Sequence, residues 1–139
     1  MKIFFTLFFL IGALYADIDD AKIVKEILLY LKFANAPKLF TPYPAFKSIL
    51  REDFNVTSRC DEADLVIVKY PEDLPRHCPL PSQAVFGLDY KLLHHYPSAF
   101  GAFYWKKGRP NITLIGPRTR RLKIEIPDAL EKYTEDRVW

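Results

Sequence analysis

The sequence predicts an α/β fold: a compact small sheet carrying a β-hairpin, with helices packed against it. Three observations predict it. Apolar residues recur at intervals of three and four along Ile23, Val24, Ile27, Leu28, Leu31 and Ala34, the stripe of an amphipathic helix. Residues 65–70 and 84–89 are short runs rich in apolar and β-branched side chains, as strands covered on both faces are. Residues 100–106 and 111–115 flank Lys107, Gly108, Arg109 and Pro110, which reads as a hairpin with Gly108 where φ must be positive.

The chain begins with Lys2, an almost wholly apolar run over residues 3–14, then Tyr15 and Ala16 before Asp17, Asp19 and Asp20. This is the pattern of a secretory signal peptide over residues 1–16. The run of about 12 residues falls short of the roughly 20 needed to cross a bilayer. Cleavage after Ala16 is expected, with Ala13 making Tyr15 the alternative. Residues 17–139 then form one α/β domain, periplasmic by this reading. Asp19 or Asp20 is placed to cap the first helix, which Asn35 and Pro37 end. Residues 46–51 are equally compatible with helix or strand.

After the first core strand, Pro71, Pro75, Pro79 and Pro81 specify a loop. The second strand leads into a helix over residues 90–96, stopped by Pro97. Beyond the hairpin, Leu122, Ile124 and Ile126 alternate with Lys123 and Glu125 as a half-buried strand. Pro127 suits the first turn of a terminal helix carrying Leu130 and Tyr133.

Composition narrows function. With 139 residues there is room for one ordinary domain, which disfavours a multidomain enzyme. Half the residues are hydrophobic, which excludes disorder as the main state. Twenty basic against 17 acidic residues leave only +3, too little for a whole-chain polyanion binder, and no nucleic-acid partner is expected. Export favours pairing of Cys60 with Cys78, unpaired thiols being the alternative; a bridge across 17 intervening residues would contribute about 3 kcal/mol.

Catalytic signatures are sparse. Only five glycines occur and none builds a Gly-x-Ser-x-Gly elbow, a phosphate-binding loop or a dinucleotide fingerprint. His94 and His95 are adjacent, about 100° apart on a helix, so they face one metal only if the fold adds His77 and Cys78; surface histidines are the simpler reading. The acids at 19–20 and 61–64 read as caps and solubilising charges. The expectation is a chain that is not an enzyme, with no catalytic residue, metal or cofactor.

Charge distribution points to a binding surface. Lys106, Lys107, Arg109, Arg118, Arg120, Arg121 and Lys123 fall within 18 residues without one acid. Behind a signal peptide, such a segment suits a membrane-embedded or periplasmic protein with an acidic surface, an anionic lipid or a cell-wall polymer. Tyr104 and Trp105 are strand neighbours, so one faces the core and the other outward, where an aromatic beside cations has the make-up of a binding hot spot. The partner-binding candidates are therefore Tyr104, Trp105, Lys106, Lys107, Arg109, Arg118, Arg120 and Arg121. Asn55 and Asn111 each begin an Asn-x-Thr triplet; no modification is expected at either, Asn55 being the better acceptor candidate.

A Cys before an apolar strand (Cys60, then residues 65–68), a second strand over 84–89, a strand with Gly101, the Gly108–Arg109 turn, Ile112 and Leu114, and a leucine-ended closing segment over 122–130 together resemble the YfiR-like periplasmic proteins. The sequence departs from that pattern in having one Cys pair and in placing Phe103, Tyr104 and Trp105 where an aliphatic strand is usual. The resemblance implies a small secreted α/β regulator that restrains an inner-membrane diguanylate cyclase. A small-ligand sensor or solute-binding-like domain, its aromatic cluster lining a cleft, is the alternative.

Overall fold

A computed structural model describes residues 17–78 and 83–139. Residues 1–16, expected to be a signal peptide, and Pro79 and Pro81 of the proline-rich loop lie outside the described residues. The first helix, α1, covers residues 17–30. It buries Val24, Ile27 and Leu28, three members of the stripe read from the sequence, together with Ala21. Helix already runs through residues 17–20, so Asp19 and Asp20 lie within it rather than capping it. It also stops before Ala34: Lys32–Phe33 form a short strand, β1.

Strands β2 (Lys38–Phe40), β3 (Asn55–Val56), β4 (Leu65–Val68), β5 (Ala84–Gly87), β6 (Ala99–Lys106), β7 (Arg109–Ile115), β8 (Ile124–Glu125) and β9 (Thr134–Glu135) follow. Among the described residues they make a seven-stranded sheet, in the order β3-β2-β4-β5-β6-β7-β9, and a two-stranded pairing of β1 with β8. From β3 to β6 all neighbours are parallel; β6 and β7 are antiparallel. The half-buried strand expected near residues 122–126 is only two residues long and stands outside the main sheet, because its partner is β1. The terminal helix is a 3-10 segment, Asp128–Tyr133.

Helix α2 (Pro44–Leu50) settles the ambiguous segment: Pro44 fits the first turn, and Phe46 and Leu50, one turn apart, are both buried. It packs with α1 against Leu65, Ile67, Phe86, Phe100 and Phe103 on one face of the sheet. The other face buries Val66, Val68, Val85, Ala99 and Ala102 beneath Leu92 and Leu93 of α3 (Lys91–His95). Alternate residues of β4 thus enter different cores, which is why the run has no polar position. Gly87 permits the approach of α3, since a Cβ there would come within 2.7 Å of Leu92 Cβ.

Cys60 and Cys78 form a disulfide with Cα atoms 5.3 Å apart, inside the range of an unstrained bridge. Gln83, buried, donates from Nε2 to the carbonyls of Cys60 (2.6 Å) and Ala63 (2.8 Å). Bridge and amide together tie the later part of the β4–β5 crossover to the segment that precedes β4. Such a disulfide is typical of oxidising compartments. Among the described residues no helix is long and apolar enough to cross a membrane.

Candidate functional site

The chain leaves β2 through α2 to reach β3 on one side and then returns to place β4 on the other. Strand order therefore reverses between β2 and β4. Parallel sheets open a crevice outside the carboxyl ends of their strands at such a switch point, because the connections diverge there. A cavity of about 890 Å³ occupies this place, within the size range of small-molecule sites.

Each wall comes from a strand end. Tyr43 follows β2, Lys69 and Tyr70 follow β4, and Leu88, Asp89 and Tyr90 follow β5. The last pairing of β5 with β6 is Gly87 to Ala102, so Phe103–Lys106 runs past β5 paired only with β7 and stands as a raised wall. Its turn is built from Lys107 (φ 53°) and Gly108 (φ 74°), the two left-handed residues of a tight hairpin. Sequence reading assigned positive φ to Gly108 alone. Asp17 and Asp20 of α1, with Glu135 and Trp139, complete the rim.

The wall residues are braced. The Tyr43 hydroxyl donates to Asp73 (2.7 Å) and accepts from the backbone N–H of Lys69 (2.9 Å) and Tyr70 (3.3 Å). Burial, with the bond to Asp73, pushes its phenol up to about 12. Tyr104 bonds Thr113 through its hydroxyl (3.0 Å), and its ring meets Tyr90 edge-on at 5.3 Å. Tyr90 in turn accepts the backbone N–H of Trp139. Trp105 donates from Nε1 to Asp20 Oδ1 (3.1 Å) and is itself 53% exposed. Burial raises the Asp20 carboxyl above its ordinary value, against the opposing effect of that indole bond.

The eight partner-binding candidates divide into three groups. Tyr104, Trp105 and Lys106 line the cavity. Lys107 and Arg109 are exposed at the hairpin tip. Arg118, Arg120 and Arg121 belong to the short helix α4 (Gly116–Arg121). The whole of β7 separates tip from helix, about 20 Å at the ordinary strand rise, so the basic run is not one contiguous patch. Arg118 Nη1 donates to the carbonyls of Leu93, Tyr96 and Ala99 at 2.8–3.2 Å, closing the end of α3. Burial lowers its pKa from the usual guanidinium value. Arg121 holds the Pro97 carbonyl (2.8 Å), while Arg120 is exposed.

The remaining candidates are dispersed. None of His77, His94 and His95 lines the cavity, and among the described residues no cluster of His, Cys, Asp or Glu is arranged for a metal. Asp61 pairs with Arg59 (2.7 Å), and Asp64 accepts the backbone N–H of Lys38. Asn55 is exposed on β3, whereas Asn111 donates to the Arg109 carbonyl. Sequence reasoning missed Asp20, Tyr43, Lys69, Tyr70, Asp89, Tyr90 and Trp139 as cavity residues. The one signal available was an aromatic residue at or soon after several strand ends. No protein-family model, curated protein or solved structure matches the chain.

Proposed function

We propose that this chain is an exported binding domain whose aromatic cleft takes a small soluble ligand and does no covalent chemistry on it. One observation carries the reading: a braced cavity of about 890 Å³ at the switch point of a parallel sheet, walled by both tryptophans of the chain. The reading of no covalent chemistry is supported by the lack of a nucleophile-elbow, phosphate-loop or dinucleotide signature in the sequence, while the Tyr43 hydroxyl is engaged in bracing the wall. Export to a periplasm is supported by the disulfide and by the short apolar segment with its following acids.

The test is a thermal-shift and tryptophan-fluorescence screen of the purified protein against a pool of polar small molecules. A ligand that raises the melting temperature also perturbs indole emission, because Trp105 and Trp139 both border the cleft. A screen in which no compound moves either signal refutes the reading.

A second reading, a partner-binding regulator of the YfiR-like kind acting on a membrane-bound diguanylate cyclase, is favoured by the exposed Lys107 and Arg109 at the tip of the wall. Replacing Lys106, Lys107 and Arg109 with neutral residues would then slow association with solubilised membrane proteins, and added salt would mimic the change.

A further inference from the structure

We infer that the ligand of the cleft is a small organic cation, an amine or quaternary ammonium carrying an apolar group. This rests on the ligand-cleft reading above and names its chemistry. Two features converge. The first is the aromatic enclosure: Tyr70, Tyr90, Tyr104, Trp105 and Trp139 line one cavity, and aromatic faces carry the negative end of a quadrupole that attracts cations, as the Arg137 guanidinium 4.1 Å from the centre of the Trp139 ring shows. The second is the charge balance of the lining, four carboxylates (Asp17, Asp20, Asp89, Glu135) against two ammonium groups (Lys69, Lys106).

Three of the four carboxylates accept a hydrogen bond through one oxygen, Asp20 from the Trp105 indole, Asp89 from the Lys91 backbone N–H and Glu135 from the Trp139 indole, and each keeps its second oxygen. Among the described residues none of the four is in an ion pair, whereas Glu52, Asp53, Asp61 and Glu62 elsewhere on the surface all are. Asp20 is the focus: its Oδ1 accepts the Trp105 indole N–H, which aims the carboxylate beside an aromatic ring and leaves Oδ2 for a ligand N–H or for contact with an ammonium. Lys69 illustrates the preference of this wall, since its own ammonium lies 5.6 Å from the centre of the Tyr70 ring. A ligand cation entering the cleft meets the same kind of surface with a carboxylate opposite.

The experiment compares three probes that share a benzyl group, benzyltrimethylammonium, benzyl alcohol and phenylacetate, titrated into the purified protein with tryptophan emission and calorimetry as readouts. Benzyltrimethylammonium is expected to bind at least about tenfold more tightly than the other two, one decade being the smallest preference worth a full charge contact. Asp20→Asn keeps an acceptor for Trp105 and is expected to weaken the cation about tenfold while leaving benzyl alcohol unchanged. A merely structural role for Asp20 would shift all three probes together. Phenylacetate or benzyl alcohol binding as tightly as the cation overturns the inference and leaves the cleft reading standing. Silence of all three probes at about 10 mM also overturns it, and the metabolite screen then decides separately whether the cleft binds anything.

Discussion

Reducing the Cys60–Cys78 bridge should cost this protein about 3 kcal/mol of folding stability. The magnitude follows from the 18-residue separation of the two cysteines, since a closed loop of that length removes about that much chain entropy from the unfolded state. The bridge matters here because β4 and β5 are parallel neighbours whose crossover, among the described residues, holds a 3-10 turn, Pro71–Asp73, and no α-helix to organise it. Cys60 is 1% exposed and packs in the core beneath α3, so Cys60→Ala/Cys78→Ala should lose about 1 kcal/mol more, for the sulfur's lost contacts. The assay is urea unfolding of the oxidised protein, the protein held in reductant, and the double-alanine variant, with thiol titration confirming each state. A loss of about 3 kcal/mol corresponds to a fall of roughly 10 °C in melting temperature for a domain of this size. Oxidised and reduced protein unfolding within about 0.5 kcal/mol of one another would refute the reasoning, because the crossover would then be held by its packing alone.

Gly87→Ala should destabilise by about 1–3 kcal/mol, measured by the same unfolding assay, because the new Cβ meets Leu92 Cβ at 2.7 Å and neither atom sits on a flexible chain end. Arg118→Ala should cost about 2 kcal/mol by removing the side-chain donor to the carbonyls of Leu93, Tyr96 and Ala99, with no loss of ligand response, since Arg118 does not line the cleft. Asp20→Asn should be at least as stable as the parent at pH 7. Burial raises the folded carboxyl above its ordinary 3.8, so the folded chain holds that proton longer than the unfolded one and stability falls as pH rises through the interval. The variant's advantage should therefore shrink as pH drops below 3.8, and melting curves between pH 3 and pH 7 (roughly the limits of that titration) check the sign.

The elements legible in the sequence were those whose local pattern and tertiary role agree. The stripe of α1, the all-apolar β4 and the hairpin turn each state their burial in their own residues. What stayed illegible depends on distant partners. Lys38–Phe40 has no strand signature of its own, yet β4 fixes it as a strand by pairing Leu39 with Leu65 and Phe40 with Val66. Thr134–Glu135 likewise becomes a strand only because Leu114 and Ile115 offer it a free edge. The α1 stripe overruns for a related reason: Leu31 remains buried, so burial continues with the helical spacing while the backbone has already left the helix to pair β1 with β8. Hydrophobic period reports which side chains are covered, and covering is not specific to one backbone conformation.

The cleft was harder to read than the fold because its chemistry is assembled from separate segments. Asp20 and Trp105 are 85 residues apart and meet through a single indole N–H. Tyr43 reaches across 26 residues to the backbone of Lys69. No local spacing encodes either contact; both follow from strand order, which turns the ends of β2, β4 and β5 and the overhang of β6 toward one opening. Basic charge misled for the same reason. Seven cations in 18 residues look like one patch in a string of letters, but the rigid β7 strand carries Arg109 and Arg118 to opposite ends of the sheet. There the tip cations keep their solvent, and Arg118 turns inward to satisfy three carbonyls. Like charges close in sequence need not repel in space, so a charge run becomes evidence for a partner only after the intervening element is known. The acids of the cleft are the converse case. Spread from residue 17 to residue 135, they are gathered by the fold, four carboxylates around an opening that holds two ammonium groups. Such a concentration of unpaired charge costs stability, which is the trade expected where a site is shaped for a ligand rather than for the fold.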